Sequence, residues 1–313
     1  MSKRLVVALS GGVGGAKLAL GLSLVLSADE LLVVANTGDD FEHLGLSISP
    51  DIDTLLYTLG GIDNPELGWG RRSETWTFMA ALEALGGETW FKLGDGDLAT
   101  HVERTRRLAA GESLSKITDD FRRRLGISAR LLPMSDDRVR TRLRIDEGWL
   151  DFQDYFVRLR ASPVVREVAY AGDAEARANP DFLAALADDD LEAVVICPSN
   201  PFLSIDPILS LPGVRDSLRD CRAPVVAVSP IIGGTAVKGP TAKIMAELGI
   251  PISAATVARY YSDILDLYVA DEADADEVAE LRIPVRVTRT LMLTIEDRED
   301  LARAVRVVAG RGV

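Results

Sequence analysis

The sequence predicts an α/β fold with a doubly wound, mainly parallel sheet and a mostly helical insertion. Short, wholly apolar runs alternate with helical patterns, which is typical of parallel strands covered on both faces. Several of these runs end in Gly, Ser, Asn or Asp, and the pattern changes between Ile62 and Ala161. We therefore expect a nucleotide-binding core of residues 1–61 and 162–313, with residues 62–161 inserted as a cap over a pocket.

The predicted core begins with the apolar strand Leu5–Leu9, a glycine-rich segment and a helix over Ala16–Leu26. The later core elements are the strands Leu31–Ala35, Ala193–Cys197, Pro224–Ser229, Leu267–Ala270 and Val285–Val287 and the helices Pro240–Leu248 and Asp297–Val308. Ligands of open parallel sheets bind beyond the carboxyl ends of the strands. The site is therefore expected at that edge.

The insertion is predicted to contain helices and one antiparallel pair of strands. The helices are Thr75–Leu85, Leu98–Ala110 and Leu114–Arg124, and the strands are Thr141–Ile145 and Trp149–Val157, joined by a turn at residues 146–148. The basic stretches Arg104–Arg107 and Arg122–Arg124 fall on predicted helices. We interpret both stretches as solvated faces.

Composition excludes several classes of partner. A net charge of −13 opposes binding to nucleic acid and to anionic membranes, which require clustered Lys and Arg. No apolar run approaches the roughly 20 residues of a membrane span, and the beginning of the chain lacks the pattern of a secretory signal. Cys197 and Cys221 have no metal-binding spacing. We expect a cytoplasmic protein that acts on small molecules.

A glycine-rich segment separates the first strand from the first helix and contains Gly11, Gly12, Gly14 and Gly15. Glycines at a helix N-terminus allow backbone N–H groups to approach a phosphate. The dinucleotide and P-loop patterns are both missed, because Lys17 replaces the last fingerprint glycine and is preceded by Ala16 and followed by Leu18. These departures argue against a nicotinamide dehydrogenase and an ATPase. A tight packing turn is the alternative.

Four carboxylates lie within one short stretch: Asp39, Asp40, Asp51 and Asp53. Asp51 or Asp53 could cap the helix that follows, but one cap explains only one carboxylate. Clustered carboxylates repel one another unless a cation or protons compensate them. Oxygen ligands that leave coordination positions to water and phosphate suit Mg²⁺. The pattern therefore predicts a magnesium site.

A second acidic loop runs from Lys92 through Asp95 and Asp97 to His101. Lys92 is a candidate contact for a substrate hydroxyl or phosphate, and Asp97 is a candidate helix cap. His101 lies in a helical pattern, where a structural and a functional role are both open. Trp69, Trp76 and Trp90 are either core residues or stacking surfaces.

Polar turns follow two later strands. Ser199 and Asn200 follow one strand, and Ser229 and Gly233 follow the next. Such hydroxyl and amide groups suit a purine, a ribose or a phosphate. Lys238 and Lys243 would add positive charge near the second turn.

Taken in order, these segments resemble the phospholactate transferase family of deazaflavin (coenzyme F-420) biosynthesis. The resemblance rests on SGGVGGAK from Ser10, NTGDD from Asn36, SPDIDT from Ser49, KLGDGD from Lys92, LPMSDD from Leu132 and SPIIGGTAVKGP from Ser229. It spans nearly the whole chain. No single motif among them is specific, whereas the set is.

The resemblance implies a Rossmann-like core, a homodimer and a transfer reaction. The donor is GMP joined through a diphosphate to a three-carbon acid, which is phospholactate, phosphoenolpyruvate or phosphoglycerate, and the acceptor is the ribityl hydroxyl of a 5-deazaflavin. Attack on the phosphorus that bears the acid releases GMP. Two rivals are a regulatory protein of the same fold that binds a nucleotide-sugar, and a dinucleotide-dependent oxidoreductase.

The resemblance also assigns roles to residues. Asp53 and Lys92 would contact the deazaflavin, and Asp95 is a further candidate for substrate binding. The glycine segment and the turns at Ser199, Asn200, Ser229 and Gly233 would hold the guanosine diphosphate. The metal would lie near Asp39, Asp40 and Asp51, and Asp53 or Asp39 would orient or deprotonate the hydroxyl.

Overall fold

The computed structural model describes residues 4–66, 68–237 and 239–309. Its strands are β1 (Leu5–Ser10), β2 (Leu31–Ala35), β3 (Phe41–His43), β4 (Leu46–Ile48), β5 (Arg130–Pro133), β6 (Arg140–Ile145), β7 (Gly148–Asp151), β8 (Glu167–Ala171), β9 (Leu191–Ile196), β10 (Val225–Val228), β11 (Ile231–Ile232), β12 (Thr235–Ala236), β13 (Leu267–Ala270) and β14 (Val285–Val287).

The α-helices in these ranges are α1 (Gly12–Val25), α2 (Pro50–Leu59), α3 (Thr77–Ala84), α4 (Asp95–Ala109), α5 (Leu114–Arg124), α6 (Pro180–Leu186), α7 (Asp206–Leu209), α8 (Val214–Asp220), α9 (Thr241–Glu247), α10 (Ala254–Tyr260), α11 (Ala275–Val278) and α12 (Ile295–Ala309). Short π-helical turns cover Asp154–Arg158 and Pro201–Ile205, and a 3₁₀ turn covers Glu272–Asp274. None of the described helices is long and apolar enough to cross a membrane.

Seven of the strands form one parallel sheet in the order β14-β13-β10-β9-β1-β2-β5. From β1 the chain builds towards β2 on one side and later towards β9 on the other. The order of the strands therefore reverses between β1 and β9, where doubly wound sheets open a crevice for ligands. The predicted doubly wound α/β fold is confirmed.

Both faces of the sheet are covered, which explains why its strands are continuously apolar. In β1, Val6 and Ala8 point towards the layer of α1 and α12, whereas Val7 and Leu9 point towards the opposite layer. Helices α1 and α12 approach closely at Gly21, where a Cβ atom would lie 2.1 Å from the carbonyl oxygen of Arg298. This core, with apolar layers on both faces of the sheet, supports the strand ends at which the site is expected.

The insertion contains the three predicted helices, but its strands differ from the prediction. The second strand of the pair ends at Asp151 and is followed by a π-helical turn, so the predicted strand Trp149–Val157 is wrong in its second half. Phe152 and Tyr155 are both buried, and a spacing of three residues favours a helical turn over a strand. Strand β8 joins this pair as a third, antiparallel strand.

Strand β5 lies within residues 62–161 but pairs with β2 at the edge of the main sheet. The division of the chain into a core and an inserted cap stays a prediction, and any boundary between them must leave β5 with the core. Two small hairpins were not predicted: β3 with β4, and β11 with β12.

Candidate active site

One cavity of about 950 Å³ opens at the carboxyl ends of the parallel strands. Its floor consists of the segments that follow β1, β2, β9 and β10, and its far wall comes from the insertion. The predicted location of the site is thus the location of this cavity. The two ends of this cavity differ in chemistry.

The floor is built by close contact between the glycine segment and the segment after β9. A Cβ atom at Gly14 would lie 2.3 Å from the carbonyl oxygen of Pro198, and the hydroxyl of Ser199 donates to the carbonyl of Gly11 at 2.7 Å. Gly12 has a φ of +64°, a conformation that favours glycine. Packing therefore explains part of the glycine pattern. Gly11, Gly12 and Gly14 also line the cavity at the N-terminus of α1.

Asp39 and Asp51 supply carboxylates to this floor. Asp51 accepts hydrogen bonds from the backbone N–H of Gly12 at 2.7 Å and from the side chain of Asn36 at 2.9 Å. Oδ1 of Asp39 is buried without a hydrogen-bond partner. Burial, with the neighbouring charge of Asp51, raises the pKa of Asp39 well above its usual range. Burial likewise raises the pKa of Asp51 to about 6.

These two carboxylates fit a divalent cation that is only partly held by protein. Among the described residues, no group of three or more His, Cys, Asp or Glu side chains is arranged to hold a metal. Mg²⁺ is commonly held by one or two carboxylates together with water and substrate phosphates. The unpartnered oxygen of Asp39 is a donor atom for such an ion.

Asp40 lies behind the floor and does not line the cavity. Its Oδ2 accepts from the hydroxyl of Ser49 at 2.8 Å. Burial raises the pKa of Asp40 to about 7, although Arg140 acts in the opposite direction. Its role as a metal ligand stays a prediction, to which the cavity lining adds no support.

The far end of the cavity is aromatic. Its rings come from helix α2, from loops of the insertion and from the segment around its π-helical turn: Tyr57, Trp69, Trp90, Phe91, Phe152 and Phe156. Phe152 and Phe156 stack with ring centroids 5.3 Å apart. Lys92 lies on the same wall, is exposed, and has no hydrogen-bond or ion-pair partner in the described part of the chain.

Between the two ends, Asp53 lines the cavity as part of a buried polar network. The guanidinium of Arg104 bonds to both carboxylate oxygens of Asp53. His101 lies with Nδ1 3.3 Å from Nη1 of Arg104 and with Nε2 3.2 Å from Oδ2 of Asp97. Tyr57 closes the network by donating to Asp97 at 2.6 Å. Each carboxylate here has a cationic or hydrogen-bonding partner.

Residues 6–307 match the family described as 2-phospho-L-lactate transferase CofD. This chain belongs to the CofD family. It is 42% identical to a phosphoenolpyruvate transferase from Kitasatospora aureofaciens over 97% of both chains. It is also 42% identical to a 2-phospho-L-lactate transferase from Methanosarcina mazei over 96% of this chain and 99% of that one. The resemblance found in the sequence is confirmed.

A solved structure supports the fold of this CofD-family chain. A UPF0052-family protein from Bacillus halodurans superimposes with a TM-score of 0.63 over 97% of this chain and 99% of that one. The two sequences are 14% identical, so the likeness concerns the fold alone.

Several predicted contacts lie elsewhere in this CofD-family chain. The exposed carboxylate of Asp95 accepts from the backbone N–H groups of Thr77 and Phe78 and thereby begins α3. Gly233 has a φ of +56° in the tight turn between β11 and β12, outside the cavity lining. Gly15 is likewise absent from the lining, since it packs against Ser10 and Ser199. Substrate contact by these residues stays a prediction.

Most of the remaining predicted polar side chains already make hydrogen bonds within the protein. The hydroxyl of Ser229 lines the cavity but already donates to the carbonyl of Ile231. Asn200 accepts two backbone N–H groups through Oδ1, and its Nδ2 is buried without a partner at the cavity. Lys243 bonds to Glu247 and does not line the cavity. Lys238 lies outside the described residues.

The sequence analysis did not identify Asn36 and Arg104 as site residues, and it misinterpreted the basic stretch Arg104–Arg107. Asn36, which holds Asp51, was not among the predicted site residues. Arg104 and Arg107 are buried, so the interpretation of Arg104–Arg107 as a solvated face is wrong for both. Asp97, His101 and Arg104 recur at intervals of four and three residues on α4, and this helical spacing was the signal available.

Proposed function

We propose that this protein transfers a phosphate-linked three-carbon acid from a guanylylated donor to the ribityl hydroxyl of a 5-deazaflavin and releases GMP, as a step of coenzyme F-420 biosynthesis. The observation that supports the proposal is the division of one cavity into a floor at the N-terminus of α1 and an aromatic far wall. A nucleotide diphosphate and a planar tricyclic alcohol need these two environments. Family membership supports the class of reaction.

The donor is proposed to bind on the floor. Helix α1 begins there, and the first N–H groups of a helix lack partners within the helix and attract phosphate. The buried amide nitrogen of Asn200 offers a hydrogen-bond donor in the same region. An unsatisfied buried donor is costly, so a ligand oxygen at this position would stabilise both partners.

Asp39 and Asp51 are proposed to hold Mg²⁺ beside the diphosphate. A bound Mg²⁺ supplies charge neutralisation to the phosphate oxygens during transfer. The chain holds Asp51 in place through Asn36 and the N–H of Gly12. Asp39 contributes the oxygen that lacks a partner within the protein.

The acceptor is proposed to lie along the aromatic wall with its ribityl chain directed towards Asp53. Aromatic side chains gain by stacking on a planar ring system. Lys92 is a free cation at this wall for a polar edge of the ring or a hydroxyl. In the reaction the hydroxyl oxygen bonds to the phosphorus that bears the acid, the bond from that phosphorus to GMP breaks, and the hydroxyl proton passes to Asp53 or Asp39.

Relatives named for two different acids match this chain at the same identity of 42%. Phospholactate, phosphoenolpyruvate and phosphoglycerate are therefore all substrates to be tested. A homodimer is also proposed, on the resemblance alone, and sedimentation analysis of the purified protein tests it. A cytoplasmic location is proposed from the composition of the sequence.

Mass spectrometry of the reaction product tests the proposed function. Purified protein, 5-deazaflavin and Mg²⁺ are incubated with each guanylylated acid in turn. We expect a new phosphodiester-linked deazaflavin and an equal amount of GMP with at least one donor. No product with any donor, together with tight binding of a nucleotide-sugar, would favour the regulatory alternative and overturn the proposal.

A further inference from the structure

Arg104 is buried to an unusual degree for a charged residue that neighbours a cavity. Only 1% of its surface is exposed, and its Nη1 lies 3.0 Å from Oδ2 of Asp53 while Nη2 bonds to Oδ1. Such two-point contact between guanidinium and carboxylate fixes the plane as well as the position of the carboxylate. Asp53 is thus held in one orientation at the cavity wall.

His101 contacts the guanidinium of Arg104 and is the next residue of this network. Its Nδ1 lies 3.3 Å from Nη1 of Arg104 and its Nε2 lies 3.2 Å from Oδ2 of Asp97, so the ring fills the space between the guanidinium and this second carboxylate. Tyr57 then fixes Asp97 from the other side. The guanidinium is therefore fixed by partners on both α2 and α4.

The charges of this network are stable. Burial alone would lower the pKa of Arg104, but the charge and hydrogen bonds of Asp53 outweigh it and raise that pKa. Burial alone would raise the pKa of Asp97, but His101, Tyr57 and Arg104 together lower it. Arg104 and Asp97 therefore keep their charges near neutral pH.

Fold stability does not by itself account for such a network. The desolvation of two charges offsets much of their attraction, and apolar residues of similar size often support a fold equally well. Arg107, three residues further along α4, makes a similar two-point contact with Glu112 without lining the cavity. The two arginines differ in what they hold: only the partner of Arg104 faces the cavity.

We infer that Arg104 is the positioning residue for Asp53, and that His101 positions Arg104. In this arrangement the lone pairs of Asp53 left free by Arg104 face the acceptor hydroxyl. The inference rests on the proposed function, because it assigns Asp53 to the acceptor. It adds two residues that act through Asp53, and of these Arg104 does not line the cavity.

The test compares Arg104→Lys with the matched control Arg107→Lys. Lysine keeps the charge but offers no planar fork. A misplacement of about 1 Å lowers a rate by roughly 100-fold, so we expect a loss of about that size in kcat for Arg104→Lys with the KM for the guanylylated donor unchanged. Arg107→Lys should keep kcat within about twofold, as for changes remote from a site.

A double-mutant cycle separates positioning from general support. If Arg104 acts through Asp53, Asp53→Asn combined with Arg104→Lys should be no slower than Asp53→Asn alone, since residues in one network are not additive. Losses that multiply, or equal losses for the two arginine variants, would overturn the inference while leaving the proposed function intact. A wild-type protein without transfer activity would overturn both.

If circular dichroism shows that Arg104→Lys does not fold, the milder variant His101→Gln tests the inference instead. It keeps a hydrogen-bonding side chain and leaves the Asp53–Arg104 pair charged. We expect a loss in kcat of about tenfold. A less firmly held Arg104 displaces Asp53 by less than the loss of the planar guanidinium does. A His101→Gln enzyme with the wild-type kcat would contradict the inference.

Discussion

The floor and the middle of the cavity hold carboxylates in opposite ways. On the floor, Asp39 and Asp51 are buried next to each other, and within the described ranges Asp51 is bonded by uncharged donors. Towards the insertion, Asp53 is paired with Arg104, and Asp97 is flanked by His101 and Tyr57. Both pairs of carboxylates line the same cavity.

The floor carboxylates have no ion-pair partner among the described residues, whereas the carboxylates of the Asp53 network have cationic or hydrogen-bonding partners within the protein. Buried carboxylates without a cationic partner either hold protons or bind a metal ion. Which of the two occurs depends on the pH and on the ions present in the cavity. Compensated carboxylates keep their charge and geometry whether or not a ligand is present. The floor is therefore expected to respond to Mg²⁺, and also to pH through Asp51, whose pKa burial raises to about 6.

The largest expected effect is on the floor. Asp39→Asn or Asp51→Asn should lower the transfer rate by about 100–1000-fold, the range seen when a well-placed charge stabiliser is removed. Neither change should unfold the protein, because each removes a buried charge that lacks a charged partner. Steady-state kinetics check the rate and circular dichroism the fold. Asp40→Asn, one layer behind, is the control and should lose much less.

A second prediction concerns pH and Mg²⁺ together. The pKa of Asp51 is raised to about 6 from 3.8, so the folded protein keeps a proton that the unfolded chain has released. Stability of the metal-free protein should therefore fall as the pH rises from about 4 to about 6. Mg²⁺ binds the ionised form, and at 100 times its dissociation constant it should restore about 2.7 kcal/mol.

Thermal unfolding with and without Mg²⁺ measures this response. The rise in melting temperature should be larger at pH 8 than at pH 5, and it should vanish in Asp39→Asn. An equal rise at both pH values would show that these carboxylates are not the ligands. Asp53 should not contribute, since Arg104 already compensates it.

A third prediction concerns the aromatic end. Trp69 is 46% exposed and lines the cavity, whereas its neighbour Trp76, at a ring distance of 6.4 Å, does not line it. Stacking is worth about 1 kcal/mol, so Trp69→Ala should raise the KM for deazaflavin by roughly fivefold to tenfold. Trp76→Ala is the control. Similar values for the two variants would argue against stacking by Trp69.

The smallest effect is expected at Asp95. Because its carboxylate begins α3 and does not face the cavity, Asp95→Ala should lower the melting temperature slightly and leave kcat and KM unchanged. A change in the KM for deazaflavin would restore Asp95 to the predicted substrate contacts.

The fold was largely readable from the sequence where strands are buried on both faces. Leu31–Ala35, Leu267–Ala270 and Val285–Val287 have the bounds that their composition predicted. The edge strand β5 was missed because RLLP is short and ends in proline, so its pattern resembles a turn. A local pattern does not reveal pairing with a distant strand.

The site was readable as a set of segments but not as a set of contacts. The motifs placed Asp39, Asp51, Asp53 and Lys92 at one cavity, as the structure does. The pairing of Asp53 with Arg104 joins residues 51 positions apart, and no local pattern reports such a partner. Its charge alone suggested that Arg104 is exposed. Its position on the buried face of α4 instead places it in the interior.

The central claim is that Asp39 and Asp51 hold a divalent ion with the nucleotide, while the Asp53 network holds its shape. A crystal of the protein soaked with Mn²⁺ and GDP tests it directly through the anomalous signal of manganese. We expect one peak bonded to oxygens of Asp39, Asp51 and the diphosphate, with the Asp53–Arg104 pair unchanged. A peak at Asp53, or bound GDP with no peak at the floor, would contradict the account.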